Sequence, residues 1–212
     1  MSFEPVSKDI AIALHTGIFR SDNKTPYIKH PLKIVEFLKS FDITDDRILS
    51  IAWLHDTIEE NNSDIKSKND LIAYIKQYLA ANELKINFSE FERKILECVE
   101  MLTFYLPETE DKYKVFSIIE KNVSKASYLS NIADNACFSA YIVKVADRIC
   151  NIKDFIESEK KEYAKIYFVR AEILFSRLGF WKHLCSLKKE YNNVNAIEKI
   201  ANEIEKIWGE LK

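Results

Sequence analysis

The chain reads as an all-α fold, and three observations predict it. Apolar residues recur at three-and-four spacing in segment after segment. Only three glycines and four prolines punctuate 212 residues, too few for the tight turns of an all-β domain. Hydrophobic residues make up 47% and aromatic residues 12%, enough for a sizeable core. The length points to one domain with room for an appendage.

Pro5 to Arg20 predicts the first helix, with Ile10, Ala13, Leu14 and Ile18 near helical spacing. Ser21 to Pro26 is a polar loop. Tyr27-Ile28-Lys29-His30-Pro31 leads into a second helix, where Pro31 suits the first turn and Leu32, Val35 and Leu38 are to be buried. Thr44-Asp45-Asp46 places acidic residues at the start of a third helix, where the dipole favours them. Residues 61–70 read as loop. Ser67 with Asp70 predicts a capping box for a helix through Leu79, and Ser89 with Glu92 a second, opening a helix to about Met101. Helices are further expected over Thr109–Lys121, Ser124–Asn135, Ala136–Phe155 and Glu159–Leu178, the last stopped near Gly179. Val194, Ile197, Ile200, Ala201, Ile204, Ile207, Trp208 and Leu211 form an amphipathic stripe at the end, to be packed on the core or on a second subunit.

The formal net charge of −2 speaks against broad nucleic-acid binding, which wants a basic patch or stripe. No apolar run is long enough to span a bilayer, and the N-terminus lacks the apolar core of a signal peptide. A cytoplasmic protein with no membrane or nucleic-acid partner is therefore expected. Cys98, Cys137, Cys150 and Cys185 form no CxxC pair and read as ordinary thiols in a reducing compartment.

Chemistry gathers in Ile51-Ala52-Trp53-Leu54-His55-Asp56-Thr57-Ile58-Glu59-Glu60. An apolar flank buries a helix, which delivers His55, Asp56, Glu59 and Glu60 into a pocket with little water. On a helix, His55 pairs with Glu59 and Asp56 with Glu60, each four apart on one face. An imidazole beside a carboxylate is half a metal site, and further carboxylates can handle protons. The plainer alternative is a core helix with a polar C-terminal end. His30 lies where a loop enters a helix, a position that often points into a cleft. Asp147 follows the apolar run Tyr141-Ile142-Val143, so a helix there carries a carboxylate out of the core. Lys144, Asp147 and Asn151 share its face, able to meet a metal, a phosphate and a sugar hydroxyl.

His30, then His55-Asp56, then Asp147 resembles the H…HD…D signature of the HD-domain metal-dependent phosphohydrolases. The flanks narrow the likeness. Ala13-Leu14-His15-Thr16-Gly17-Ile18-Phe19-Arg20 and Thr25-Pro26-Tyr27-Ile28-Lys29-His30-Pro31-Leu32 resemble the opening of the (p)ppGpp hydrolase domains of Rel/Spo enzymes and of the small alarmone hydrolases. Leu54 to Glu60 resembles their His-Asp-x-x-Glu-Asp box, Val143 to Asn151 their Val-Lys-x-Ala-Asp-Arg-x-x-Asn helix, and Tyr163 to Leu178 their closing helix.

The resemblance implies an HD-domain helical bundle over residues 1–180 and a C-terminal helical extension over residues 181–212. It implies one divalent metal, Mn2+ in this family, on His30, His55, Asp56 and Asp147. Glu59 and Glu60 would position or deprotonate the attacking water. Arg20 would stack on the base, Lys144 and Asn151 would face phosphates and ribose, and Lys24 and Tyr27 would join them in substrate binding. The implied activity is (p)ppGpp 3′-pyrophosphohydrolase. Alternatives are a phosphatase of another nucleotide, such as a nucleoside monophosphate or NADPH, and a regulatory nucleotide-binding module without turnover. The implied partner is a small nucleotide, with a homo-oligomer left open. The sequence departs from the family pattern at several points. Glu60 replaces an Asp, Ile18 a Gln, Ser21 a Lys and Cys150 a frequent His, Lys24-Thr25 stands where a Gly is usual, and the segment between Glu60 and Thr103 is longer. The metal ligands are unchanged.

Overall fold

The computed structural model describes residues 2–61, 65–105 and 118–212, with side chains described except at 118–122 and 191. Among these residues the structure is helical, and the sole β feature is an isolated antiparallel bridge between Phe19 and Pro26. The expected all-α class is borne out. No helix among them is long and apolar enough to cross a membrane.

Helix α1 spans Glu4–His15, five residues shorter than expected at its C-terminal end. Thr16 turns to an extended conformation and Gly17 takes a φ of +80°, a left-handed setting that glycine adopts without strain. The chain then folds back on itself. Arg20 N–H donates to the Thr25 carbonyl and Tyr27 N–H to the Ile18 carbonyl, each at 2.8 Å. Helix α2 (Lys29–Ser40) follows, then α3 (Asp46–Leu54). The acidic start of α3 does two jobs. Asp45 caps α3 by accepting from the Ile48 N–H, while Asp46 accepts from the Phe3 and Glu4 N–H groups at 2.9 Å. Asp46 thus caps α1, whose own N-cap residue, Phe3, makes no side-chain cap.

Helix α4 (Lys68–Ala81) opens on the expected Ser67–Asp70 capping box and runs two residues past Leu79. The second box sits earlier than expected. Asn87, not Ser89, caps α5 (Phe88–Phe91) by accepting from the Glu90 N–H, because Asn87 holds the extended backbone and Ser89 is already helical. A π-helical turn over Glu92–Leu96 joins α5 to α6 (Glu97–Leu102). The helix expected over Thr109–Lys121 lies, up to residue 117, outside the described residues.

Helices α7 (Ile118–Asn135), α8 (Phe138–Glu157), α9 (Lys161–Phe175), α10 (Leu178–Leu187) and α11 (Tyr191–Leu211) complete the chain. Gly179 does not end a helix; it lies inside α10. The break comes earlier, after Phe175, where the buried Tyr141 hydroxyl donates to the Leu174 carbonyl at 2.6 Å. That carbonyl is one of those a helix end leaves unpaired. Helix α8 is the axis of the fold, buried on every side over residues 139–150, with α2, α3, α6, α7 and α9 packed against it. Helix α11 buries Ile197, Ile200, Ile204, Ile207 and Leu211 and packs on α9 and α10. Trp208 stacks on Phe168 at 4.8 Å.

Candidate active site

His55 and its neighbours stand at a helix end, not on a helix. Helix α3 stops at Leu54, and residues 55–59 continue as turns. The local side chains account for this. The Thr57 N–H and hydroxyl both take the Leu54 carbonyl, and His55 Nδ1 takes the Ala52 carbonyl at 2.9 Å. Side chains that capture the last carbonyls compete with the next helical turn. His30 enters from the first turn of α2, where the bridge between Phe19 and Pro26 feeds the chain into the helix. Asp147 comes from the middle of α8, buried like the apolar residues around it.

Three of the four expected ligands form one cluster. His30, His55 and Asp56 each offer a ligand atom, and these atoms lie within 4.8 Å of one another. Two donors on opposite sides of a single ion stand roughly 4–4.6 Å apart. His55 Nε2 is 3.1 Å from Asp56 Oδ2, and His30 Nε2 is 3.5 Å from the same oxygen. The Ala52 carbonyl assigns the His55 proton to Nδ1, which turns the Nε2 lone pair inward. That buried Nε2 makes no hydrogen bond. A lone pair facing a carboxylate calls for a cation between them, and two imidazoles with a carboxylate suit a first-row divalent ion. Asp147 joins through His30, its Oδ1 lying 3.3 Å from His30 Nε2. Its other contacts are Asn151 Nδ2 at 2.5 Å and Lys144 Nζ at 3.1 Å.

No protein-family model matches the chain. Curated relatives do. Over 160 residues the chain is 28% identical to the guanosine-3′,5′-bis(diphosphate) 3′-pyrophosphohydrolase MESH1 of Xenopus tropicalis, covering 70% of the chain and 72% of that protein. The Mus musculus and Homo sapiens proteins of the same name are each 27% identical over 148 residues, 69% of the chain and 65% of theirs. The chain resembles the (p)ppGpp 3′-pyrophosphohydrolases. In fold it matches a solved structure described as a metazoan ortholog of SpoT that hydrolyzes ppGpp and plays a role in starvation responses. The TM-score is 0.58 at 18% identity, over 99% of this chain and 96% of that one.

Electrostatics sharpen the cluster. Burial opposes charge on Asp56, and positive charge on the imidazole side, at His55 and then His30, holds the carboxyl well below the usual range, a charge that a bound cation would supply to neutral imidazoles. Burial likewise opposes charge on Asp147, and Lys144 and Arg148 overcome it. Lys144 is buried too, and Asp147 keeps it charged. Glu59 moves the other way: burial and the nearby Asp56 charge raise its pKa. Glu60 is raised by the same two causes. The Tyr27 hydroxyl donates to Asp56 Oδ2 at 2.6 Å, fixing the carboxylate from the loop side.

Arg20, Tyr27, His30, Asp56, Glu59, Lys144, Asp147 and Asn151 line a cleft of ≈210 Å³. His55 lies behind them, fully buried. Two further expected residues do not line it. Lys24 is exposed in the loop, where the Asp22 carboxylate takes the Lys24 and Thr25 N–H groups. Glu59 and Glu60 both keep part of their surface in water at the end of the turn, and only Glu59 lines the cleft. Arg20 Nη2 donates to Asn151 Oδ1 at 3.0 Å, and its guanidinium lies 5.6 Å from the centre of the Tyr27 ring. The sequence reading missed Phe104, Lys125, Tyr128, Leu129, Arg148, Tyr167 and Arg170, which complete the wall. The Phe104 N–H donates to Glu59 Oε1 at 2.8 Å, and Arg148 lies over the Tyr167 ring at 4.8 Å. Arg148 was visible beside Asp147, and Tyr167 with Arg170 repeats at helical spacing. Phe104 carried no local signal.

Proposed function

We propose that the chain is a metal-dependent phosphohydrolase that removes the 3′-pyrophosphate of (p)ppGpp. One observation carries this above the rest: two imidazoles and a carboxylate converge at the base of a cleft whose wall is cationic. The likeness to the MESH1 proteins supports the choice of substrate. A divalent ion on His30, His55 and Asp56 with Asp147 beside them, Mn2+ by resemblance, would polarise a phosphoryl oxygen and acidify a water.

The chain's own groups supply the rest. Glu59 takes the proton of the attacking water. Its Oε1 is held by the Phe104 amide, and its raised pKa brings it nearer the working pH of a general base. A bond forms from the water oxygen to phosphorus, the bond to the ribose 3′ oxygen breaks, the proton taken up by Glu59 is passed on to that oxygen to give the 3′ hydroxyl, and pyrophosphate is released. Lys144 and Arg148 offset the phosphate charge. Arg20 and Tyr27 form a ledge for the purine, and Asn151 reaches the sugar. Glu60 stands in reserve. The proposed setting is the cytoplasm.

A second reading keeps the reaction and changes the nucleotide. It is favoured by the loop Ser21–Thr25, where Lys24 is exposed and does not line the cleft. The test compares manganese-loaded wild type with Asp56→Asn and Arg20→Ala on ppGpp, mononucleotides and NADPH. Wild type should release pyrophosphate from ppGpp, and Asp56→Asn should lose both metal and turnover. Arg20→Ala should keep its metal and bind substrate about tenfold more weakly, roughly 1.4 kcal/mol. Phosphate from another nucleotide with none from ppGpp would select the second reading. Binding without turnover on every substrate would leave a regulatory module.

A further inference from the structure

Arg47 sits where α3 begins, α6 passes and α8 starts. Its Nε donates to the Lys94 carbonyl at 3.1 Å. Its Nη2 lies 3.2 Å from Cys137 Sγ and 3.6 Å from Cys98 Sγ, and the two sulfurs are 3.5 Å apart. The pair is 39 residues apart in sequence and is brought together by the fold alone. Cys137 is the N-cap of α8, a twenty-residue helix, so its sulfur lies at the positive end of the helix dipole as well as beside the guanidinium. The two thiols are not equivalent. Cys98 is 6% exposed, whereas Cys137 is half-buried and opens onto a cavity of ≈450 Å³ shared with Arg47, Trp181 and Cys185. That cavity has no lining residue in common with the candidate active site.

We propose that Cys98 and Cys137 form a peroxide-reactive dithiol, with Cys137 attacked first and Cys98 resolving it to an intramolecular disulfide. The Cys137 thiolate attacks one oxygen of hydrogen peroxide, the O–O bond breaks, and the departing hydroxide takes a proton and leaves as water. Cys137 is then a sulfenic acid. Cys98 sulfur attacks Cys137 sulfur, the S–O bond breaks, and the hydroxide combines with the Cys98 proton as a second water. Two electrons pass from the sulfurs to one peroxide, and two thiol hydrogens are lost. The sulfurs need to close from 3.5 Å to roughly 2.0 Å. The local fields agree with this order of events: the Cys98 hydrogen bond, the α8 amides and Arg47 hold the Cys137 thiol down at about 5. Burial pushes Cys150 up to about 12 and Cys185 up to about 11.

The test uses the reduced full chain with stoichiometric hydrogen peroxide, followed by peptide mapping. Wild type should lose two hydrogen atoms in mass and yield a linked Cys98–Cys137 peptide. Cys98→Ser should instead stop at a sulfenic acid on Cys137 that dimedone traps, and Cys137→Ser should leave Cys98 reduced. A sulfenic acid first on Cys98, or oxidation of Cys150 or Cys185 at the same rate as Cys137, would overturn the proposal. A second measurement needs no variant. Iodoacetamide at neutral pH should alkylate Cys137 about tenfold faster than Cys185 in the native protein. Equal rates would also overturn it.

Discussion

Helices α8 and α11 are nearly equal in length, twenty and twenty-one residues, and bury themselves in opposite ways. Helix α11 offers one apolar stripe to α9 and α10 and leaves its charges in water. Helix α8 is buried on all sides over residues 139–150, yet carries Lys144 and Asp147 inside that stretch with 3% exposure each. A charge on the first kind of helix is solvated whatever its neighbours. A charge on the second kind must be paired, because burying it alone is prohibitively costly. Polar residues on α8 therefore mark the site, and polar residues on α11 mark only its wet face.

The comparison breaks most sharply at Asp147. Asp147→Ala removes the nearest counter-charge of Lys144 and Arg148 and leaves them the more distant Asp56 carboxylate, which should cost about 3–5 kcal/mol. Its counterpart is Glu203→Ala on α11, which removes a partner of Lys153 at 2.6 Å across a partly exposed contact. That change should cost at most about 1 kcal/mol. Urea unfolding with a chelator present isolates the protein's own electrostatics from any metal. Equal costs for the two variants would mean that burial on α8 does not impose pairing.

Next in size is the apolar face of α11. Ile200 is fully buried, and Ile200→Ala should lower stability by about 2–4 kcal/mol through lost transfer energy and a residual cavity. Metal content and turnover should not change, because α11 supplies no residue to the cleft. A fall in activity without a fall in the unfolding midpoint would give this helix a role beyond packing.

What could be read from the sequence follows the same division. The stripe of α11 was legible because one-sided burial writes a period into the sequence. The apolar run before Asp147 was legible because a carboxylate among Ile and Val residues is conspicuous. His55 and Asp56 were found for the same reason, although they were expected on a helix and stand on turns. Thr57 and His55 capture the α3 carbonyls themselves, and hydropathy does not register such short-range competition. Lys24 was expected in the cleft and is exposed outside its lining, in a loop whose turn is set by the Asp22 side chain accepting from the Lys24 N–H. Phe104 reaches Glu59 through its backbone, so no side-chain pattern announces it. The Cys98–Cys137 contact rests on three helices meeting at Arg47, a tertiary fact with no local trace.

A third helix sharpens the comparison, with the smallest expected effect. His15 closes α1 and is as buried as Asp147, at 2% exposure, but neither of its ring nitrogens has a hydrogen-bond partner among the described residues. The Tyr27 ring lies 4.9 Å away, and the Glu60 backbone and the His55 and His30 imidazoles also act on it. Burial lowers its pKa from 6.5 to about 4, and the more distant Asp56 charge offsets this only in part. The folded state therefore keeps His15 neutral at pH values where the unfolded chain binds a proton. Stability from this residue is fully present above about pH 6.5 and is lost as pH falls toward 4. The loss should reach about 1–2 kcal/mol by pH 5. His15→Leu has no proton to bind, so its stability should stay flatter than that of wild type between pH 7 and 5. Urea midpoints of the two proteins across that range decide the matter. Parallel curves would mean that His15 is paired in solution after all, and that an unpartnered buried imidazole is not what separates α1 from α8.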